Sequence, residues 1–437
     1  MIQFGTDGVR AEAFTQLTPA FVRALGSAAS RVLNGDSIIV GRDTRESGPE
    51  LQHAFAQGCA AAGVAVVDVG VVPTPAVAWL CAADGLPGAM LSASHNPWQD
   101  NGVKLFAAGG RKLTDADQDV IQAHLDEAAS AGHEIPIARP RVISGSIERY
   151  LDAVVGSVDG RRFDGKTVIL DSANGSASVT SRQIFERLGA TVVSLADQPD
   201  GRNINDGVGS TYPEFLQAAV RNHGADAGFA FDGDADRIAA VGADGRLIDG
   251  DQIIAMSALD RRDRGALARN TVVITVMANL GFRVAMEAAN IEMVETPVGD
   301  RHVLEALDAG GYSLGGEQSG HVIHRDLATT GDGVLTAVQL LDAAIRRDVD
   351  LGEWAASVMT RYPQVLENVR MATKIPDLSE RLANAVVAEE SILGAKGRVL
   401  IRESGTEPVV RVMVEAADAD QAAESTKRLV DAVTLLA

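Results

Sequence analysis

The stretch KTVILDSANGSAS, Lys166–Ser178, reads as an unbroken β-rich strand running into a polar, Gly-bearing turn. A helical stretch and a second apolar strand, ATVVSLA (Ala190–Ala196), follow it. The same order occurs on either side. Upstream, SIIVGRDTRESG (Ser37–Gly48) leads through an apolar helical stretch to VAVVDVGVVPTPAV (Val64–Val77). Downstream, TVVITVMANLG (Thr271–Gly281) leads in the same way to IEMVETPVGD (Ile291–Asp300). Continuous apolar strands, as opposed to alternating ones, mark sheets covered on both faces. The repetition predicts an α/β protein of three related α/β domains, each with a mixed sheet flanked by helices. One long doubly wound sheet is the alternative.

From Val369 onward the rhythm breaks. VRMATKI (Val369–Ile375), GRVLIRES (Gly397–Ser404) and EPVVRVMVEA (Glu407–Ala416) read as strands. Pro376–Glu389 and Asp418–Leu435 read as amphipathic helices, with Leu429, Val430 and Val433 on one stripe and Asp418 or Asp420 as N-cap. A C-terminal α+β domain is therefore expected after the loop Met359–Asn368. The expected boundaries are 1–148, 149–248, 249–362 and 363–437.

A chain of 437 residues exceeds what one hydrophobic core usually supports, consistent with several domains. Its 44 glycines suit many strand-to-helix turns, and only 4% aromatic residues argue against a stacking platform for nucleic acid. A formal charge of −20 likewise disfavours nucleic acid or an anionic membrane as partner. A small anionic substrate stays admissible, because a few Arg, Lys and backbone N–H groups can hold a phosphate whatever the global charge. Cys59 and Cys81 sit in Ala-rich apolar surroundings and are expected to be reduced, buried thiols. MIQFGTDGVR carries no secretory pattern and no apolar run approaches the ~18 residues of a membrane span, so a cytoplasmic location is expected.

The strongest chemical signal is FAFDGDADRIAAVG, Phe229–Gly242. An apolar strand runs into Asp232, Asp234 and Asp236, which in an extended segment project to one face. Three such carboxylates repel one another unless a cation lies among them, and hard oxygen ligands suit Mg²⁺. An acidic surface turn would use the same residues. A calcium EF-hand is excluded by spacing, since its positions 6 and 12, Gly and Glu, are held by Arg237 and Ala243. The second signal, LSASHNPWQDNGVKLF (Leu91–Phe106), delivers Ser94, His95 and Asn96 to a turn closed by Pro97, and Lys104 returns on an alternating strand. Ser94 is a candidate nucleophile without the GxSxG elbow of hydrolases. GGEQSGH (Gly315–His321) sets Glu317, Ser319 and His321 on a Gly-flanked loop suited to a polyhydroxylated ligand. RESGTEPVVR (Arg402–Arg411) sets Ser404, Gly405 and Thr406 between two arginines, the parts of a phosphate cradle.

Together these four segments resemble the α-D-phosphohexomutase family: SASHNP is similar to its phosphoserine loop, DGDADR to its metal loop, GEQSGH to its sugar-binding loop and SGTEP to its phosphate-binding loop. FGTDGVR (Phe4–Arg10), GRDTR (Gly41–Arg45), PTPAV (Pro73–Val77) and VGDRHV (Val298–Val303) extend the likeness over nearly the whole chain. The resemblance implies four domains around a central cleft, with Ser94 carrying a phosphoryl group and, with Asp232, Asp234 and Asp236, ligating Mg²⁺. It implies Lys104 and His321 in general acid/base work, Arg10 assisting the phosphoryl group, Glu317 and Ser319 on ring hydroxyls, and Arg402, Ser404, Gly405, Thr406 and Arg411 on a phosphate. A sugar 1,6-bisphosphate is the implied intermediate and activator. Gln318 is similar to family members that interconvert glucosamine 6-phosphate and glucosamine 1-phosphate, whereas members acting on mannose or glucose phosphates commonly show Met there. The former activity is expected and the latter is the alternative. A homodimer is entertained, although no motif encodes it. Ala11 after Arg10, Ser172 in DSANGSAS and Glu403 before SGTEP depart from the family's usual Gly, Cys and Pro. Glu403 places negative charge beside a phosphate site.

Overall fold

The computed structural model describes residues 2, 8–130, 135–371, 375, 377–403 and 409–436. The chain gathers into two compact units, Met1–Met277 with Ile291–Ser357, and Ala278–Asn290 with Val358–Ala437. The first unit holds three sheets built to one plan. A central strand is flanked in parallel by two others, and one of those continues through a loop into an antiparallel neighbour. In the first sheet the centre is Ser37–Arg42, parallel to Ala65–Val71 and Gly88–Leu91, and the latter pairs antiparallel with Asp100–Ala107. In the second it is Thr167–Asp171, parallel to Thr191–Leu195 and Ala227–Phe231, with Ile238–Gly242 antiparallel to the latter. In the third it is Thr271–Thr275, parallel to Glu292–Thr296 and Leu314–Gly316, with Val322–His324 antiparallel. Sheets of seven, five and four strands among the described residues replace the single long sheet that was the alternative.

The central strands are apolar throughout because both faces are covered. Ile38, Ile39 and Val40, Val168 to Leu170, and Val272 to Ile274 are all buried. Helix Pro19–Val32 starts where Thr18 accepts the Phe21 N–H and Pro19 occupies the first turn. It packs against helix Gly48–Ala61 through two glycines. A Cβ on Gly26 would lie 2.3 Å from the Phe55 carbonyl oxygen, and one on Gly58 would lie 2.0 Å from that of Arg23. The two backbones approach too closely for any side chain there. Cys59 and Cys81 are buried and unbridged, and burial pushes their thiols up to about 11 and about 12.

Asp332 caps helix Gly333–Arg347, accepting the Leu335 N–H at 2.9 Å, and also accepts the Tyr150 hydroxyl at 3.0 Å. Burial nonetheless pushes its carboxyl up to about 6, outweighing these hydrogen bonds. The native state therefore keeps a proton that the unfolded chain releases above pH ~4, so this site's contribution to stability falls as pH rises from ~4 through ~6. Asp332→Asn keeps the Leu335 N–H on its one oxygen and turns the Tyr150 contact round, the amide NH2 donating to the phenol oxygen, without the charge. Its unfolding midpoint should gain on the wild type between pH 4 and pH 7, by up to about 3 kcal/mol for a two-unit shift. A pH-independent difference in denaturant melts would disprove this.

The second unit is a three-stranded antiparallel sheet with Val409–Glu415 between Gln364–Arg370 and Arg398–Glu403. Helices Leu378–Leu393 and Ala419–Thr434 bury Leu382, Leu393, Leu429 and Val433 against Val412 and Val414. Asp418 is the N-cap of the last helix, accepting the Gln421 N–H. One expectation needs correcting. The first strand lies at Gln364–Arg370, largely inside the segment read as a loop; it shares Val369 and Arg370 with the expected strand and stops before Met371, and residues 372–374 lie outside the described residues. Its pairing runs in unbroken register from Gln364↔Glu415 to Arg370↔Val409, and that ladder decides its position over the local apolar pattern. The segment Ala278–Asn290 joins this unit around buried Glu415, which accepts from Asn279 Nδ2, the Leu280 N–H and Arg398 Nε. Among the described residues no helix is long and apolar enough to cross a membrane.

Candidate active site

Each sheet of the first unit sends its reactive residues from the same connection, the loop between the third parallel strand and its antiparallel partner. Ser94 follows Gly88–Leu91, the three aspartates follow Ala227–Phe231, and Glu317 to His321 follow Leu314–Gly316. Ser94 is buried and adopts φ +53°, the left-handed region that costs a non-glycine residue about 1–2 kcal/mol. That backbone aims its hydroxyl at the second loop, where Ser94 Oγ donates to Asp232 Oδ2 at 2.6 Å. His95 Nδ1 lies 3.3 Å from the same hydroxyl and 3.3 Å from Arg237 Nη1. Burial, then the charges of Arg237 and Arg10, push His95 down to about 4, which favours the neutral imidazole beside the serine.

Asp232, Asp234 and Asp236 are all buried and offer oxygens within 4.8 Å of one another. Thr74 Oγ1 donates to Asp234 Oδ2 at 2.6 Å, and Lys104 Nζ reaches Asp234 Oδ2 at 2.7 Å and Asp236 Oδ2 at 2.8 Å. Burial, together with Asp236 and Asp234, pushes Asp232 up to about 7. Burial raises Asp236 too, but Lys104, His321 and Arg237 outweigh it and hold Asp236 well below the usual carboxylate range. Asp234 Oδ1 and Asp236 Oδ1 are buried without a hydrogen-bond partner. Orphaned carboxylate oxygens converging with a hydroxyl, and a carboxylate that resists ionisation for want of positive charge, are the features of a hard-cation site. The residues present fit a divalent ion.

His321 Nδ1 lies 3.8 Å from Asp236 Oδ1 and Nε2 lies 3.5 Å from Asp300 Oδ2. Burial pulls His321 down, but these carboxylates outweigh it and raise it above the ordinary histidine value. Lys112 pairs with Asp300 on the far side. Glu317 Oε1 accepts the Gly299 N–H at 3.0 Å, Ser319 is exposed at the loop tip, and Gln318 Nε2 donates to Asp251 at 3.1 Å. Arg10 sits on strand Val9–Glu12, paired with Gly102 beside the serine loop, close enough for its charge to act on His95. Thr74, Lys112, Asp300 and Arg237 were given no role in the sequence reading. Thr74, Asp300 and Arg237 lie in quoted segments and Lys112 does not, but nothing in local pattern says which layer a side chain will meet.

In the second unit Arg402 and Arg411 face each other across the sheet, and both Nε atoms are buried without a hydrogen-bond partner. Burial and then Arg411 lower the pKa of Arg402. Like charges directly opposite are destabilising unless a counter-charge lies between them. Glu403 is exposed, and strand alternation sends it to the face opposite Arg402. Ser404, Gly405 and Thr406 lie outside the described residues, as does the start of FGTDGVR.

The loops fit one another through glycine. A Cβ on Gly233 would lie 2.6 Å from the Ser94 carbonyl oxygen, 2.8 Å from Ile204 Cδ1 and 2.9 Å from Asn205 Nδ2. Gly233→Ala is expected to push the serine and aspartate loops apart by a sizeable fraction of an ångström and lower kcat about 10²-fold with the fold kept. Wild-type kcat in that variant would refute the fit.

The first unit thus sets a buried serine against three buried aspartates on three copies of one α/β plan, and a C-terminal α+β unit follows, the organisation of a phosphohexomutase. Domains I, II and III, each described as phosphoglucomutase/phosphomannomutase, alpha/beta/alpha domain, match residues 1–131, 148–245 and 249–362, and the C-terminal domain matches 366–432. The chain belongs to the phosphoglucomutase/phosphomannomutase family. It is similar to the phosphoglucosamine mutase of Thermobifida fusca, 51% identical, the alignment covering 98% of this chain and 97% of that one. Among solved structures, a phosphoglucomutase/phosphomannomutase family protein of Burkholderia thailandensis matches with TM-score 0.83 and 26% identity, covering 100% of this chain and 98% of that one. The N-acetylphosphoglucosamine mutase of Aspergillus fumigatus, solved with GlcNAc-6P and magnesium, matches with TM-score 0.71 over 99% of this chain and 95% of that one. At 19% identity that likeness concerns the fold alone.

Proposed function

We propose that this chain interconverts glucosamine 6-phosphate and glucosamine 1-phosphate through a phosphorylated Ser94 and a sugar 1,6-bisphosphate intermediate. The observation that carries the chemistry is the 2.6 Å contact from Ser94 Oγ to Asp232 within the buried aspartate cluster. The T. fusca relative's name, at 51% identity over nearly the full length, supports the substrate. Asp232, Asp234 and Asp236, with an oxygen borne by Ser94, would hold Mg²⁺. Bound there, the ion would neutralise the phosphoserine's charge and polarise its phosphoryl oxygens.

The remaining work falls to the chain's own groups. Phosphoryl transfer depends on positioning and charge neutralisation. Lys104 Nζ, an ammonium buried between Asp234 and Asp236, is placed to give a proton to Ser94 Oγ as it leaves the phosphoryl group and to take that proton back when Ser94 attacks the bisphosphate. His321, held between Asp236 and Asp300, is the second proton carrier, and Arg10 steadies the phosphoryl oxygens. Glu317 and Ser319 grip ring hydroxyls. Arg402 and Arg411, with Ser404, Gly405 and Thr406, hold the phosphate that is not being transferred. After the first transfer the bisphosphate turns over and its other phosphoryl group returns to Ser94, which restores the enzyme.

The test is coupled turnover with Mg²⁺ and a trace of glucosamine 1,6-bisphosphate on glucosamine 6-phosphate, mannose 6-phosphate and glucose 6-phosphate in parallel. The highest kcat/KM is expected for the glucosamine substrate. Preference for mannose or glucose phosphate would reassign the substrate to the family's other branch.

A further inference from the structure

The loop that carries Ser94 is held from beneath by a side chain to which the chemistry above gives no part. Arg45 is 1% exposed. A guanidinium has five N–H donors, and here each finds an acceptor. Nε donates to Asp43 Oδ2 at 2.8 Å. Nη1 donates to the Asp100 carbonyl at 2.9 Å and to that of Pro97. Nη2 donates to the carbonyls of Ser94 at 2.9 Å and Asn96 at 2.8 Å. Four of the five acceptors are therefore main-chain oxygens of one loop. The ring closes through Asp43, which also accepts Ser92 Oγ at 2.6 Å, while Ser92 Oγ accepts the Ser94 N–H at 2.9 Å.

A second hold comes from the neighbouring sheet's loops. Asn205 Nδ2 donates to the Ser94 carbonyl at 2.9 Å and to the Asn96 carbonyl at 3.1 Å, the same two oxygens that Arg45 Nη2 engages. Outside this pair, Glu46 and Arg202 form an exposed ion pair, Arg202 stacks on Trp98, and the Glu46 N–H meets the Gly201 carbonyl. A left-handed serine relaxes toward ordinary backbone angles unless its surroundings over-determine it. Here both the N–H and the C=O of Ser94 are fixed, the latter from two layers at once.

We propose that Arg45 and Asn205 are positioning residues of the phosphoryl transfer, holding the Ser94 backbone so that its Oγ stays against Asp232 in every half-reaction. This rests on the reading that Ser94 carries the phosphoryl group. Lysine cannot replace the fork, because one ammonium on a flexible stem does not span four carbonyls lying around a plane. Arg45 touches no reacting atom, so its effect passes through loop geometry and belongs in kcat.

The full-length wild type, Arg45→Lys and Asn205→Ala are compared in two ways. Amide hydrogen exchange reads the loop at Asn96 and Asp100, whose N–H groups bond the Ala93 and Pro97 carbonyls. Steady-state kinetics use glucosamine 6-phosphate with a trace of the 1,6-bisphosphate. Faster exchange confined to this loop is expected in both variants, with kcat lowered about 10-fold by Asn205→Ala and about 10²-fold by Arg45→Lys while KM changes little. Unchanged loop exchange overturns the proposal, as does unchanged kcat or a loss carried wholly by KM. If Arg45→Lys does not fold, Asn205→Ala decides alone by the same criteria. A wild type without turnover on any hexose phosphate defeats the functional reading, and loop exchange still decides whether the clamp holds.

Discussion

Ser94→Ala is expected to lower mutase turnover by at least about 10⁴-fold while leaving the fold intact. The magnitude follows from what the hydroxyl does. In the proposed chemistry it is the atom that bears the group between two half-reactions, and neither neighbour replaces it, because His95 is paired with Arg237 and Lys104 with two aspartates. Alanine leaves the loop standing, since its anchors are the Ser94 N–H and C=O and not the side chain. Intact-mass spectrometry should find a phosphate-sized adduct on part of the wild-type population and none on the variant. Retained turnover, or an adduct that persists in the variant, would remove Ser94 from the role.

Asp234→Asn ranks second. Asp234 lies in the middle of the aspartate loop, is fully buried, and is already bonded by Thr74 and Lys104 through one oxygen, with Oδ1 left without a partner. Asparagine preserves shape and the Thr74 contact but removes the charge that a divalent ion needs. A loss of about 10³-fold in kcat/KM is expected, equivalent to several kcal/mol of charge stabilisation, together with a higher Mg²⁺ concentration for half-maximal rate. The variant should melt close to the wild type. An unchanged magnesium titration would count against the cage.

The parts of this molecule that rest on short-range order were readable from the sequence. Val168 to Leu170 form a buried strand because both faces are covered, and an unbroken apolar run announces that. Asp232, Asp234 and Asp236 were legible as a cluster from their spacing at the end of an apolar strand, and their burial tells a cage from an acidic surface turn. What stayed hidden was set by meetings between layers. Thr74 looks like the first residue of an ordinary helix, and only the second sheet's loop makes it a partner of Asp234. Arg45 reads as one more charge in a polar turn until the fold buries it beneath the serine loop. The strand at Gln364–Arg370 was misplaced for a related reason. Its stability comes from a ladder with Val409–Glu415, a segment distant in sequence, and not from its own mixed composition.

The thrice-used hairpin connection separates stability from chemistry. Ser94, the aspartate cluster and the turn from Glu317 to His321 each hang from an equivalent point on a sheet of their own, so each can drift without disturbing the strands that carry the other two. Selection for a new hexose would therefore act on Glu317 to Ser319 and spare His321 with the remaining machinery. Libraries confined to those residues are the economical place to redirect this catalyst.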